Sequence, residues 1–279
     1  MLLETLDEPL LHSVREALAE DIGTGDITAR LIPADTTAQA TVISREPAVL
    51  CGMGWFNAVF AELDSSIRVD WEAQDGNHVQ KDQLLCRLTG PARPMLAGER
   101  TALNFLQTLS ATATLSRRYA DRVAGLPVKI LDTRKTIPGL RQAQKYAVRT
   151  GGCHNHRSGL YDGILIKENH ITAAGSIQEA VKSARSGNPG KPVEIEVEDM
   201  QQITLALEAG AERLLLDNFS LESLGEAVQR VAGRAELEAS GGITLDNVRA
   251  VAQTGVNYIS TGSLTKNIHA VDLSMIFTR

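Results

Sequence analysis

Long hydrophobic runs, paired cysteines and an excess of positive charge are all missing from this 279-residue sequence. Without an apolar stretch of roughly 20 residues, no membrane-spanning helix is expected. The first four residues also lack the basic segment that opens a secretory signal peptide. The three cysteines, Cys51, Cys86 and Cys153, are spaced for neither a metal site nor a redox pair, which favours free thiols in a reducing cytoplasm.

Charge is distributed unevenly along the chain. A net charge of −6 argues against nucleic acid as the main partner, yet segment 133–167 contains seven lysines and arginines and a single acid. Arg141, Lys145 and Arg149 recur at every fourth position, which predicts one solvated face of a helix. The other four basic residues of the segment are Arg134, Lys135, Arg157 and Lys167. A solvated helix face does not account for them.

The two halves of the chain differ in their hydrophobic pattern. Residues 1–110 begin with apolar side chains at helical spacing and continue with short alternating segments at 38–44, 67–72 and 83–88. This pattern predicts an α+β arrangement with an antiparallel sheet.

From residue 97 a long helical stretch leads into alternating strand and helix patterns. The strand-like runs are 128–131, 163–166, 193–197, 213–216, 237–239 and 257–260. Helical segments separate most of them, and repeated β-α units of this spacing predict a parallel sheet or barrel. No GxGxxG motif follows a strand, which disfavours a dinucleotide-binding fold.

Polar residues stand at the carboxyl ends of the predicted strands, where (β/α) barrels assemble their active sites. In the run 193–198, strict alternation puts Glu194, Glu196 and Glu198 on one face. In a barrel these acids point inward, whereas a solvated edge strand is the alternative. Asp217 ends the next strand, so Glu196 and Asp217 form a candidate site for Mg²⁺ or sugar hydroxyls.

Two strand ends that contain glycine suggest a phosphate site. Ser240-Gly241-Gly242 and Thr261-Gly262-Ser263 follow the last two predicted strands. Glycines let backbone N–H groups approach an anion closely, and barrel enzymes often bind phosphate at these late loops.

Lys167 has two functional interpretations. It could be a Schiff-base nucleophile, since barrel aldolases use a lysine at a strand end. A cationic clamp for an anion, shared with Arg134 and Arg157, is the simpler interpretation. His154 and His156 suggest zinc only weakly, because no further ligands stand at the expected spacing, and they suit an anionic substrate better.

Eight sequence runs, in order and nearly from end to end, carry a family resemblance. They are EDIGTGDIT (20–28), GERTALN (98–104), DTRKT (132–136), PGLR (138–141), GGCHNHR (151–157), IKENH (166–170), LDN (216–218) and SGGI (240–243). In these runs the chain resembles the quinolinate phosphoribosyltransferases. The resemblance implies a type II phosphoribosyltransferase that converts quinolinate and 5-phosphoribosyl 1-diphosphate into nicotinate mononucleotide, CO₂ and diphosphate for NAD biosynthesis. The type I diphosphate motif, two adjacent acids before a threonine-rich loop, is absent.

The resemblance also implies an architecture and an assembly. An N-terminal α/β sandwich (1–110, with the tail 266–279 as a candidate addition) precedes an incomplete, open α/β barrel of parallel strands (111–265). A cytoplasmic homodimer with shared active sites is expected, with neither nucleic acid nor a membrane as partner. Mg²⁺ accompanies the diphosphate substrate, and no organic cofactor is expected.

For the site, the resemblance implies two sets of ligands. The quinolinate ligands are Thr133, Arg134, His156, Arg157 and Lys167, with Arg100 from the neighbouring subunit. The ligands of phosphoribosyl diphosphate are Lys135, Glu196, Asp217, the loops 240–242 and 261–263, and Lys266, where family members often have His. Glu196 and Asp217 would hold Mg²⁺ directly or through water. With Lys135 and Lys167 they complete the catalytic set.

Three alternatives remain open. The first is a paralogous phosphoribosyltransferase, either specific for nicotinate or linked to molybdenum transport, although a monocarboxylate needs fewer cations than this chain supplies. A barrel aldolase would use Lys167 as its Schiff base. A carrier or binding module would leave the inward acids and the glycine loops without a role.

Overall fold

The computed structural model describes residues 8–278, so the N-terminal residues considered for a signal peptide lie outside it. The described chain forms two compact units. The first takes in the residues up to Arg117, Ile137–Gly152 and the residues from Ile268 onward, and the second consists of Arg118–Thr136 and Cys153–Asn267. Ile137–Gly152 packs in the first unit although it lies inside the span expected for the barrel.

Helices and strands occupy most of the described residues. The helices are α1 (Glu8–Ile22), α2 (Met53–Leu63), α3 (Ala92–Arg122), α4 (Arg141–Thr150), α5 (Glu168–Ala174), α6 (Ile177–Gly187), α7 (Met200–Glu208), α8 (Leu221–Val231), α9 (Val248–Gln253) and α10 (Ser263–Lys266). The strands are β1 (Thr37–Ser44), β2 (Ala48–Val49), β3 (Arg68–Trp71), β4 (His78–Val79), β5 (Leu84–Pro91), β6 (Lys129–Leu131), β7 (Ile164–Ile166), β8 (Val193–Val197), β9 (Arg213–Asp217), β10 (Glu236–Ser240), β11 (Tyr258–Ser260) and β12 (Leu273–Thr278). No helix within residues 8–278 has both the length and the apolar character needed to cross a membrane.

The first unit is built on a four-stranded sheet in the order β12-β1-β5-β3. Each neighbouring pair runs antiparallel, which confirms the sequence prediction for this half. Alternation along β1 buries Ala40 and Val42, and they join a core that contains Phe56 and Phe60 of α2. Because burying such a side chain contributes about 1.5–3 kcal/mol, this apolar face holds the helices on the sheet.

Helix α4 corrects one expectation. Arg149 is exposed and Arg141 is half-buried, but Lys145 is only 3% exposed. The prediction of one solvated face is therefore wrong for Lys145. Five residues of this helix are buried, Gln144 among them, and the Gln144 side chain accepts a hydrogen bond from Ile137 N–H. Regular spacing shows that charged side chains share one face of a helix, but it does not show whether that face is exposed to solvent.

The second unit is an open barrel of parallel strands in the order β6-β11-β10-β9-β8-β7. Among the described residues the two outermost strands, β6 and β7, do not pair with each other. On its open side, β6 forms an isolated bridge between Leu131 and His154. This confirms the predicted open α/β barrel. The side chains of Ser176, Asp199 and Ser220 cap the helices α6, α7 and α8 by accepting backbone N–H groups of the first turn.

Alternation along β8 decides which side chains enter the barrel. Val193, Ile195 and Val197 are fully buried, whereas Glu194 and Glu196 lie on the opposite face. The predicted inward orientation is confirmed for these two acids and is wrong for Glu198. Because β8 ends at Val197, Glu198 leaves the alternating pattern and is exposed.

Candidate active site

Lys167 and Glu196 form an ion pair at the carboxyl ends of two adjacent strands. Lys167 follows β7 and lies at the start of α5, while Glu196 stands on β8. The Lys167 Nζ contacts Glu196 Oε2, and their side chains are 48% and 15% exposed. Backbone N–H of Lys167 donates to His170 Nδ1 at 3.0 Å, which fixes the direction in which the lysine leaves the strand. A cation and an acid therefore meet where a barrel enzyme binds its substrate.

Asp217, at the end of β9, belongs to the same group of charges. Burial and the charge of Glu196 raise the pKa of Asp217, while Lys167 and Lys135 act in the opposite direction. The Asn218 amide donates to Asp217 Oδ2 at 2.8 Å and so orients the carboxylate. Two predicted catalytic acids and two predicted catalytic lysines are thus brought together.

The loop after β10 requires glycine at one position. Gly241 has a φ of +93°, and a Cβ there would lie 2.1 Å from Asn218 Oδ1. Asn218 itself has a positive φ of 57°, and its backbone N–H donates to Ser240 O at 2.9 Å. The side chain and the backbone nitrogen of Asn218 therefore leave room only for a hydrogen atom on Gly241.

The loop after β11 supports Lys135. A Cβ on Gly262 would lie 2.9 Å from Lys135 Cδ, so the lysine stem passes directly over this glycine. Thr265 Oγ1 donates to Lys135 O at 2.8 Å, and Lys135 N–H donates to Thr133 Oγ1 at 3.1 Å. Both glycine loops therefore lie beside residues of the charged group, as the sequence predicts.

Tyr119 stabilises the loop after β11. Its side chain is 2% exposed, and burial raises the pKa of its hydroxyl group, which is hydrogen-bonded to Ser263 and Thr261. Sequence reasoning did not identify this residue, since a single tyrosine near the end of a long helix carries no pattern of its own.

Arg134 and Arg157 lie close enough to repel each other. Burial and the positive charge of Arg134 lower the pKa of Arg157. The guanidinium of Arg157 donates to Gly163 O at 3.1 Å, which holds it beside β7. Crowded guanidinium groups favour the binding of an anion, because carboxylates match their forked geometry.

Below this group, His156 sits among buried acids. Its Nε2 lies 3.1 Å from Glu194 Oε2 and 3.5 Å from Glu238 Oε2. Glu238 is 0% exposed, and Arg213 Nη1 approaches it to 3.9 Å. Sequence reasoning missed Glu238 and Arg213, although β10 alternates acids and aliphatics as β8 does.

Two further predicted site residues have exposed side chains. Lys266 ends α10 and is exposed. Arg100 is exposed on α3 in the first unit, whereas the other predicted site residues belong to the second unit. The sequence expectation already assigned Arg100 to a neighbouring subunit, and this stays a prediction.

These features define a class of protein. An open parallel barrel that gathers lysines, acids and glycine loops at its strand ends is an enzyme fold suited to an anionic, phosphorylated small molecule. The chain belongs to the quinolinate phosphoribosyl transferase family, whose N-terminal domain model matches residues 26–110 and whose C-terminal domain model matches residues 112–276.

Individual relatives agree with this assignment. The chain is 41% identical over 260 residues to the probable nicotinate-nucleotide pyrophosphorylase [carboxylating] of Bacillus subtilis, covering 93% of this chain and 90% of that protein. It is 41% identical over 270 residues to the nicotinate-nucleotide pyrophosphorylase [carboxylating] of Mycobacterium leprae, covering 94% and 95%. The solved nicotinate-nucleotide pyrophosphorylase of Francisella tularensis superposes with a TM-score of 0.94 at 45% identity, covering 97% of this chain and 96% of that one.

Proposed function

We propose that this protein transfers the phosphoribosyl group of 5-phosphoribosyl 1-diphosphate to quinolinate and releases CO₂, yielding nicotinate mononucleotide for NAD biosynthesis. The observation that carries the proposal is the grouping of Lys135, Lys167, Glu196 and Asp217 beside two glycine loops. Quinolinate brings two negative charges and the second substrate several more, so both need cations. A cytoplasmic location is consistent with the free, buried cysteines.

Three cations of the second unit are assigned to the carboxylates of quinolinate. Arg134 and Arg157 repel one another, and a dianion between them would relieve that repulsion. Lys167 stands at the carboxyl end of another barrel strand. Thr133, whose Oγ1 accepts a hydrogen bond from Lys135 N–H, is assigned to the same substrate. A monocarboxylate such as nicotinate would leave part of this positive charge uncompensated, which favours the dicarboxylate.

Glu196 and Asp217 are assigned to the ribose and to Mg²⁺ bound with the diphosphate. The fit rests on their chemistry, because Glu196 raises the pKa of Asp217 and a cation between the two acids would offset that repulsion. When bound, Mg²⁺ would neutralise charge on the departing diphosphate. Lys135, supported by Gly262, is assigned to the phosphates, with Ser240, Gly242 and Lys266 toward the 5-phosphate end.

The reaction needs no covalent intermediate with the enzyme. The pyridine nitrogen of quinolinate attacks the anomeric carbon while the bond to diphosphate breaks, and the inward carboxylate of Glu196 stabilises the positive charge on the ribose. The bond from C2 to its carboxylate then breaks, and the pyridinium ring accepts the electron pair. A proton added at C2 completes nicotinate mononucleotide. Lys167 in this scheme is an ion-pair partner rather than a Schiff base.

Adding a side chain at Gly241 is expected to weaken the binding of phosphate. Gly241→Ala would drive a Cβ into Asn218 Oδ1 and shift the loop, so the KM for phosphoribosyl diphosphate is expected to rise about tenfold or more. Steady-state kinetics with each substrate varied would measure this. Gly225→Ala in α8 is the matched control, because a Cβ there meets no atom within 4 Å. Equal KM values for the two variants would contradict the assignment of this loop.

The shared homodimeric site is testable by mixing two inactive variants. Arg100→Ala and Lys167→Ala proteins should each be nearly inactive. After subunit exchange, half of the dimers would be mixed, and each mixed dimer would contain one intact site, which restores about a quarter of the wild-type activity. If subunits exchange and activity does not return, Arg100 does not act across subunits.

The choice of substrate separates this function from its nearest alternative. Formation of mononucleotide is measured with quinolinate and with nicotinate at saturating phosphoribosyl diphosphate and Mg²⁺. The proposal predicts that kcat/KM is at least about a hundredfold higher with quinolinate, since lost charge pairs cost several kcal/mol. Preference for nicotinate, or no turnover of either compound, would favour a paralogous phosphoribosyltransferase.

A further inference from the structure

Three side chains from different parts of the second unit meet beneath the strand ends. His156 follows the short bridge beside β6, Glu194 stands on β8 and Glu238 stands on β10. Their side chains are 11%, 8% and 0% exposed. Such buried ionisable groups are costly unless they compensate one another, so their grouping calls for a reason.

Both ring nitrogens of His156 face protein atoms. Nε2 faces the two carboxylates, and Nδ1 accepts a hydrogen bond from the backbone N–H of Arg157 at 2.7 Å. The backbone N–H of His156 donates to Asp132 Oδ1 at 2.9 Å. The imidazole therefore contacts the backbone N–H of Arg157 on one side and the buried carboxylates of the barrel strands on the other.

The buried charges around the imidazole act strongly on one another. Burial and the charge of Glu194 raise the pKa of Glu238 to about 7. Burial lowers the pKa of His156, but the hydrogen bond to Glu194 and the charge of Glu238 outweigh it and give a net rise. Arg213, 3.9 Å from Glu238, adds a positive charge on the far side.

The same geometry argues against a metal ion at this place. The three ligand atoms lie within 4.8 Å of one another, which is close enough for a metal site. A metal would need a lone pair on Nε2. Because Nδ1 already accepts a backbone N–H, the ring proton sits on Nε2, which then cannot be a ligand.

We propose that Glu238, together with Glu194, is a positioning residue that holds His156 and, through its Nδ1, the backbone of Arg157, so that the Arg157 guanidinium is presented to a carboxylate of the substrate. In this arrangement His156 acts through the backbone of Arg157. This inference rests on the proposed function and adds to it a buried layer that orients the anion-binding arginine.

The test combines substitutions at Glu238 and His156. Glu238→Leu is expected to raise the KM for quinolinate about tenfold and to leave the KM for phosphoribosyl diphosphate within about twofold. Glu238→Gln should raise this KM less than Glu238→Leu does, because the carboxamide keeps a polar group of the same shape beside Nε2. Glu212→Gln is the matched control, since Glu212 pairs with Arg185 on the outside of the barrel.

A double-mutant cycle separates positioning from a structural effect. If Glu238 acts through His156, adding Glu238→Leu to His156→Ala raises the KM for quinolinate no further. The proposal would be overturned if the two substitutions multiplied each other's effect on the KM for quinolinate. It would also be overturned if the KM values for quinolinate and for phosphoribosyl diphosphate rose equally. If Glu238→Leu does not fold, Glu194→Met replaces it in the same cycle.

Two further results keep the inference distinct from the proposed function. Wild-type turnover of quinolinate is measured first, and its absence would refute the function rather than the positioning role. Elemental analysis of the purified wild-type protein should find no stoichiometric transition metal. One metal ion per chain, lost in Glu238→Leu, would overturn the positioning role in favour of a metal site.

Discussion

Lys167→Met is expected to lower kcat/KM for quinolinate by about a thousandfold, equivalent to about 4 kcal/mol of transition-state binding. The substitution removes a cation assigned to the substrate and also leaves Glu196 without its ion-pair partner. Because Glu196 is only 15% exposed and already acts on Asp217, its unpaired charge would repel an incoming dianion. Methionine keeps the length of the apolar stem, so the loss reports the charge.

Lys191→Met is the control for this experiment. The Lys191 Nζ donates to Tyr161 O at 2.7 Å, away from the strand-end acids, and the residue is exposed. Its substitution should change kcat/KM less than about threefold, as most exposed lysines contribute little. A loss below tenfold for Lys167→Met, in a protein that melts like the wild type, would show that Lys167 is not part of the site.

Asp217→Asn is expected to have the second largest effect, and on a different kinetic constant. The kcat should fall by about a hundredfold or more, while the KM for quinolinate changes little, because Asp217 is assigned to the phosphoribosyl diphosphate side. The Mg²⁺ concentration that gives half-maximal rate should rise as well. Asparagine keeps the shape and the contact with Asn218 but removes the charge that would attract the cation.

Glu198→Gln provides the matched control for Asp217→Asn. Glu198 also follows a barrel strand, yet it lies beyond the end of β8 and is exposed. Titrations of Mg²⁺ against initial rate would compare the two variants. If both depend on Mg²⁺ as the wild type does, Asp217 has no role in holding the metal.

The barrel could be predicted because its strands are short, apolar and evenly spaced. The predicted run 193–197 coincides with β8 (Val193–Val197), and the predicted run 213–216 is one residue shorter than β9 (Arg213–Asp217). In a parallel sheet all carboxyl ends lie on one side, so polar residues that end successive strands must converge there. The grouping of Lys167, Glu196 and Asp217 follows from that rule alone.

The buried layer below these residues could not be predicted in the same way. Glu194 and Glu238 stand two strands apart, and they meet around His156 only because the sheet curves. Alternation reports the face on which a side chain lies but not the curvature of the sheet. The burial of Lys145 escaped prediction for a related reason, since burial depends on tertiary packing and not on local spacing.

The origin of the released CO₂ tests the central claim most directly. Quinolinate labelled in either its 2-carboxylate or its 3-carboxylate is incubated with the protein, phosphoribosyl diphosphate and Mg²⁺, and labelled CO₂ and diphosphate are both measured. The account predicts one CO₂ per diphosphate, all of it from the 2-carboxylate, and none when phosphoribosyl diphosphate is omitted. Turnover of nicotinate without turnover of quinolinate would contradict it.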